Sequence, residues 1–180
     1  GGARQVISTD HLRAFTDDPV TMTRIAVNHA LGDIWAMGAA PQAATVNLIL
    51  PKLSADLQAR TLSEIMGAAH EALSDAGAAI VGGHTSLGAE LTIGFTVTGL
   101  CDRDPVTLRG AKPGDALILT KPLGSGVIMA AEMAGAAPGG VVASALDLMC
   151  QPQAIASGIL ADAHAMTDVT GFGLAGHLSG

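Results

Sequence analysis

Three aspartates in this chain stand in company that does not suit a charge. Asp10 follows Ser8-Thr9 in "RQVISTD", residues 4 to 10, which reads as a short strand closing on the aspartate. Asp33 lies in "NHALGDIWAMG", a helical stretch whose neighbours are nearly all apolar. Asp168 lies in "AMTDVTGFG", read as the end of a strand before a glycine turn. An ionised carboxylate in apolar surroundings is costly unless it is paired or binds a metal. Three hard oxygen donors that converge suit Mg²⁺, which favours a few carboxylates together with substrate phosphates. Each residue also has an ordinary reading: Asp10 as a turn former, Asp33 on the polar side of its helix beside Asn28 and His29, and Asp168 as an N-cap for a helix near Gly171.

Two glycine motifs accompany the aspartates. "VGGHTS", residues 81 to 86, reads as a buried strand running into a glycine turn, where Gly82 and Gly83 let backbone N–H groups approach an anion. His84 follows directly. "TKPLGSGV", residues 120 to 127, puts Lys121 ahead of two glycines; that lysine either meets a phosphate or sits on the surface beside a turn. There is no G-x-x-x-x-G-K-[ST] loop, no G-x-G-x-x-G after the first strand, no G-x-S-x-G and no H-E-x-x-H. Cys101 and Cys150 form no CxxC pair and have no His partner in sequence, so neither reads as a nucleophile. Two reduced thiols in an intracellular protein is the expectation.

Composition narrows the partners. Nine Lys and Arg against sixteen Asp and Glu give a net charge of −7, and only 2% of residues are aromatic. Such a surface repels nucleic acid and offers little for base stacking. It does not exclude a nucleotide whose phosphates are held through divalent cations. Nothing at the N-terminus resembles a signal peptide. No apolar run reaches roughly 18 residues, so no membrane span is expected and the cytoplasm is the default.

The elements that must position these residues follow from periodicity. Asp17-Asp18-Pro19 is a helix-start signal, and residues 19 to 37 are helical with Met22, Ile25, Ala26, Leu31, Ile34 and Trp35 on an apolar face. Residues 41 to 51 read as a strand. Residues 54 to 77 read as a helix capped by Ser54, with Leu57, Leu62, Ile65, Met66, Ala69 and Leu73 at three-and-four spacing. Strands at 78 to 85 and 91 to 101 follow. The charged, proline- and glycine-bearing stretch 102 to 116 reads as a boundary. Beyond it come a strand in "ALILT", a glycine turn, three helices and the "TDVTGFGLAGHL" segment. The pattern is α/β (α+β): β-α-β-α-β-β over residues 1–102, then the beginning of a second α+β domain over 103–180.

Taken together, "STDHL", "NHALGDIWAMGAAPQAA", "AGAAIVGGHTS", "GFTVTGL", "GDALILTKPLGSGV" and "AMTDVTGFGLAGHL" resemble the selenophosphate synthetases (selenide, water dikinases) in order and approximate spacing across essentially the whole chain. Aminoimidazole ribonucleotide synthetase, thiamine-monophosphate kinase and the hydrogenase-maturation dehydratase are relatives in the same ATP-binding superfamily. "TDVTGFGLxGHL" is the most specific part and speaks against those relatives. The resemblance implies a transferase that makes selenophosphate from selenide, water and ATP, releasing AMP and phosphate. It implies that Asp10, Asp33 and Asp168 help hold Mg²⁺ ions bridging the ATP phosphates. It implies that Asp10, Asp33, Gly82, Gly83 and His84 serve ATP binding. It further implies a homodimer whose first-domain sheets pair into a barrel-like core, with the nucleotide at the interface. In this family the catalytic Cys or selenocysteine and its Lys lie on a glycine-rich segment preceding the first strand, so the resemblance places them upstream of Gly1. The second domain is expected to continue past Gly180, making this chain an internal fragment that is inactive alone. Another ATP-using member of the superfamily, or a non-catalytic dimerisation module, are the alternative readings.

Overall fold

In the computed structural model, which describes residues 4–179, the first hundred residues follow the expected β-α-β-α-β-β order. β1 (Arg4–Arg13), α1 (Pro19–Ala36), β2 (Ala40–Pro51), α2 (Ala55–Asp75), β3 (Ala79–Gly88) and β4 (Thr92–Cys101) build one mixed sheet in the order β1-β4-β2-β3. β4 runs antiparallel to both β1 and β2, while β2 and β3 are parallel. The parallel pair is joined through α2, as a parallel connection requires a crossover.

α1 begins where its cap dictates. The Asp18 carboxylate accepts from the backbone N–H groups of Val20 and Thr21 at 3.2 and 3.1 Å, with Pro19 in the first turn. It stops at Gly38, which adopts a φ of +67°. All six residues assigned to its apolar face are buried, and so are Thr23, Val27 and Ala30. That spread exceeds one face because α1 is sandwiched between the sheet, α2 and the helices of the second half. α2 is amphipathic as expected, burying Ile65, Ala69 and Leu73 under its Ser54 cap, although Leu57 at its first turn is exposed. The core closes on Phe95, Ile93 and Val97 of β4 against Val46, Leu48 and Leu50 of β2.

Four details depart from the sequence reading. β1 does not stop at Asp10 but continues to Arg13, because its ladder to β4 runs on through Leu12↔Ile93 and Arg13↔Thr92. Asp10 is therefore in the strand interior. The Gly82-Gly83-His84 run is not a turn and not buried: it lies within β3, an exposed edge strand paired with Thr45, Val46 and Asn47 of β2. "ALILT" forms no strand; Leu117, Ile118 and Leu119 lie exposed. A continuous apolar run suits a central strand, and no partner strand lies beside it among the described residues. Asp168 likewise ends no strand, since residues 165–170 have no regular structure. The rest of the second half is a 3₁₀ turn (Leu108–Gly110), α3 (Ser125–Met133), α4 (Gly139–Cys150), α5 (Ala154–Ile159) and α6 (Gly173–Leu178).

The adjacent glycines of β3 are not equivalent. A Cβ on Gly83 would lie 2.2 Å from the Val46 carbonyl oxygen, whereas one on Gly82 would meet only Thr45 Cγ2 at 3.9 Å. Gly83→Ala is expected to prise β3 from β2 and to lose about 1–3 kcal/mol of stability. Gly82→Ala should be nearly neutral. Urea unfolding of the two variants measures the difference, and equal stabilities would contradict this geometry.

Candidate functional site

The three aspartates come from three separate segments and meet on one side of α1. Asp10 reaches the site from β1, where Val6, Ser8, Asp10 and Leu12 alternate towards the helices. Asp33 comes from the last turns of α1. The Ser8 hydroxyl donates to Asp33 Oδ2, tying strand to helix at the site. His29, one helical turn before Asp33, places Nε2 3.6 Å from Asp10 Oδ1. Asp168 arrives from the irregular segment and lies against Gly32: a Cβ on that glycine would be 3.2 Å from Asp168 Oδ2. A methyl group at position 32 would press on the carboxylate at that distance.

The electrostatics record how close these groups are. Burial, reinforced by the neighbouring Asp33 charge and a hydrogen-bonding contact with Asp33, pushes the Asp168 carboxyl up to about 6. Burial also raises Asp10, again with help from Asp33, and the His29 imidazole works in the opposite direction. Asp33 thus lies beside both of the other carboxyl groups. Among the described residues no three His, Cys, Asp or Glu side chains stand close enough to hold a metal ion by themselves. The donor set still fits Mg²⁺ in its usual manner, in which one or two carboxylates per ion share the coordination sphere with water and phosphate oxygens. Asp10, Asp33 and Asp168 are the residues that would hold it.

The other candidates fall elsewhere. Gly82, Gly83 and His84 lie on β3, the edge strand opposite β1. Three strand spacings separate the two edges, about 14 Å. Within one chain the structure does not bring them to the carboxylates. Lys121 is neither a free phosphate ligand nor a surface lysine. Its Nζ donates to the carbonyls of Leu148, at 2.8 Å, and Gln151, closing the C-terminal end of α4, and burial pulls its pKa down. Asp168 caps no helix, the N-cap of α6 being Phe172. Sequence reasoning passed over Ser8, His29 and Gly32. Ser8 was legible as the same-face neighbour of Asp10 two residues along a strand, and His29 as the i−4 neighbour of Asp33. Gly32 had no sequence signal, because its role depends on a segment more than 130 residues away.

An α/β unit with this topology and a carboxylate cluster at the strand–helix junction defines a class. The model of the AIR synthase related protein, N-terminal domain, matches residues 1–101, and that of the corresponding C-terminal domain matches residues 112–179. The chain belongs to the AIR synthase related family. Within it, the sequence is similar to selenide, water dikinases: 41% identity over 98% of this chain to that of Geobacter metallireducens, and 38% over 98% to that of Myxococcus xanthus. It spans about half the length of these relatives, 52% and 51%. Among solved structures, thiamine monophosphate kinase from Aquifex aeolicus shares the fold, with a TM-score of 0.76 over 92% of this chain and 58% of that one at 20% identity. The hydrogenase maturation protein HypE, solved in complex with ATP, superposes with a TM-score of 0.60 over 73% of this chain and 41% of that one at 24% identity.

The raised Asp168 pKa has a measurable sign. Below about pH 4 the carboxyl is protonated in folded and unfolded chains alike, and as pH rises through about 6 the folded state must ionise it against burial and Asp33. In chelator-treated protein, stability should therefore fall between pH 4 and 7. Asp168→Asn should flatten that dependence and gain about 1–2 kcal/mol at pH 7.5, after allowance for solvent screening of its exposed part. Thermal melts across this pH range test it; an unchanged profile in the variant would show that Asp168 is not crowded by Asp33.

Proposed function

We propose that this chain is the nucleotide- and magnesium-binding part of a selenide, water dikinase, which makes selenophosphate from selenide, water and ATP with release of AMP and orthophosphate. One observation carries the reading: Asp10, Asp33 and Asp168 converge from β1, α1 and the 165–170 segment in a chain about 40% identical to enzymes of that name. Residues 1–102 form the ATP- and metal-binding and dimerisation domain, and 103–180 belong to the C-terminal domain. Magnesium ions at the three carboxylates supply the positive charge that a triphosphate needs where no P-loop lysine is available. The protein's own part is to hold the donors ready. Ser8 fixes the rotamer of Asp33, Gly32 admits Asp168, and the packing of β1 against α1 keeps Asp10 in line.

Gly82, Gly83 and His84 contribute to ATP binding from a second subunit. Their distance from the carboxylates within one chain favours this arrangement, as does the sheet face turned away from the helices. That face carries exposed Ile7 and Ile49 beside the threonines Thr9, Thr45 and Thr96. Pairing two such sheets gives the homodimer with a barrel-like core. Sedimentation equilibrium is expected to report a dimer at micromolar concentration, and Ile7→Lys a monomer; a monomeric wild-type chain would contradict the pairing. The free thiols Cys101 and Cys150 accord with a reducing, cytoplasmic setting. No helix among the described residues is long and apolar enough to cross a membrane. Both thiols lie against main-chain carbonyls, Met37 and Thr21, and Lys121 is engaged at α4. None of the three is placed in the selenium chemistry by this reading, and the present chain alone is expected not to turn over.

The test is phosphorus NMR on the full-length protein with Mg-ATP and selenide under anaerobic, reducing conditions. A selenium-bonded phosphorus signal and AMP should appear together, depend on selenide, and vanish in Asp168→Asn. ADP without that signal would instead indicate a small-molecule kinase of the thiamine-monophosphate type or an aminoimidazole ribonucleotide synthetase-type ligase. Absence of Mg-ATP binding altogether would leave a dimerisation module.

A further inference from the structure

Asp168 lies on a stretch of chain with no regular structure. Residues 165–170 pair with no strand and belong to no helix, so no ladder of backbone hydrogen bonds fixes them. On the N-terminal side the chain is pinned at His164. Its Nδ1 pairs with Asp115 Oδ1 at 2.8 Å, and its carbonyl packs so tightly on Gly110 that a Cβ there would sit 1.9 Å away. On the C-terminal side the anchor is His177, the second-last residue of α6. Its Nε2 accepts from the Thr170 backbone N–H at 3.1 Å and lies 3.3 Å from the Thr170 hydroxyl. The Phe172 ring leans on the same imidazole, with centroids 6.1 Å apart.

The rest of the "TGFGLAGH" run serves this closure. The Gly173 N–H donates to the Thr170 carbonyl at 3.0 Å, and Gly173 takes a φ of +69° that turns the chain into α6. A Cβ on Gly176 would meet Phe172 Cβ at 2.9 Å, so only glycine lets α6 fold back over the turn. These three features bring His177 onto a residue two positions from Asp168. His177 is half-buried and makes no other hydrogen bond among those of the described residues.

We propose that His177 is a positioning residue: by clasping Thr170 it closes the 168–177 turn and holds the Asp168 carboxylate against Gly32 and Asp33. It touches neither substrate nor metal in this role. The metal part of the proposal rests on the reading of Asp168 as a magnesium ligand; the positional part does not.

The experiment uses the wild type and two variants, His177→Ala and His177→Gln, the amide oxygen of Gln being able to accept the Thr170 N–H in place of Nε2. Mn²⁺ alone is the probe, titrated by calorimetry with its electron paramagnetic resonance signal as a check. His177→Ala should weaken Mn²⁺ binding about tenfold, the scale on which outer-shell partners tune a metal site, and His177→Gln should recover most of it. In parallel, amide NMR of the metal-free proteins reads Gly32 and Asp168 directly. Both signals should shift in the Ala variant and return in the Gln variant, with melting temperatures close to wild type. Signals of Gly32 and Asp168 that stay in place in His177→Ala, with changes confined to residues 170–178, would overturn the proposal. Global unfolding of the Ala variant, marking His177 as a general stability residue, would also overturn it. A wild type that binds no Mn²⁺ would count against the magnesium reading, while the NMR arm would still decide the clasp.

Discussion

Repulsion of Asp33 against two partly buried neighbours, Asp10 and Asp168, is the constraint that organises this molecule. Asp10 and Asp168 lose hydration on folding and each lies near the Asp33 carboxylate, an arrangement that opposes folding by itself. It persists because the elements bearing the aspartates are held by interactions that have nothing to do with the charges. β1 is laced to β4 over ten residue pairs from Arg4 to Arg13. α1 is buried on nearly every side by Phe95, Ile93 and Leu73 and their neighbours. The core fixes positions that the carboxylates' own electrostatics would disperse.

The third carboxylate shows how the second half of the chain is recruited. It has no strand or long helix of its own against the sheet, so it is attached by polar contacts to the exposed flank of α1. The Asn28 amide donates to the Cys150 carbonyl at 2.6 Å, the Ser157 hydroxyl donates to the Trp35 carbonyl at 2.7 Å, and the Val106 N–H donates to the Met37 carbonyl at 3.1 Å. Each satisfies a carbonyl at the end of a helix, where the backbone has acceptors to spare. Lys121 does the same for α4. Lys121, which looked like a phosphate ligand in the sequence, thus serves as a fastening within the second half, while the contacts of Asn28, Ser157 and Val106 hold that half, and Asp168 with it, to α1.

Much of the first domain was legible because its signals are local. Asp18-Pro19 caps a helix wherever it occurs, and the three-and-four spacing of Ile65, Ala69 and Leu73 reads as a buried helix face without reference to anything else. The misreadings share one cause. A strand exists only through its partner, so "ALILT" has strand chemistry but forms none here, and the Gly82-Gly83 run looks like a turn yet is drawn straight by its register with Thr45 and Val46. Asp10 appeared to end a strand because a polar residue often does. The ladder to β4 carried it into the interior instead.

By itself the sequence determined the order of helices and strands, the acidic character of the chain, and which three carboxylates stand in apolar company. These follow from residue type, period and neighbours a few positions away. Only the tertiary structure decided that the three meet and that Gly82, Gly83 and His84 lie on the far edge of the same sheet. It alone put the Ser8 hydroxyl on Asp33 and Asp168 against Gly32. The reason is that the first set depends on contacts within one turn or one strand. The second depends on close approaches between segments 25 to 136 residues apart, such as Ser8 with Asp33 and Gly32 with Asp168, which no local pattern encodes.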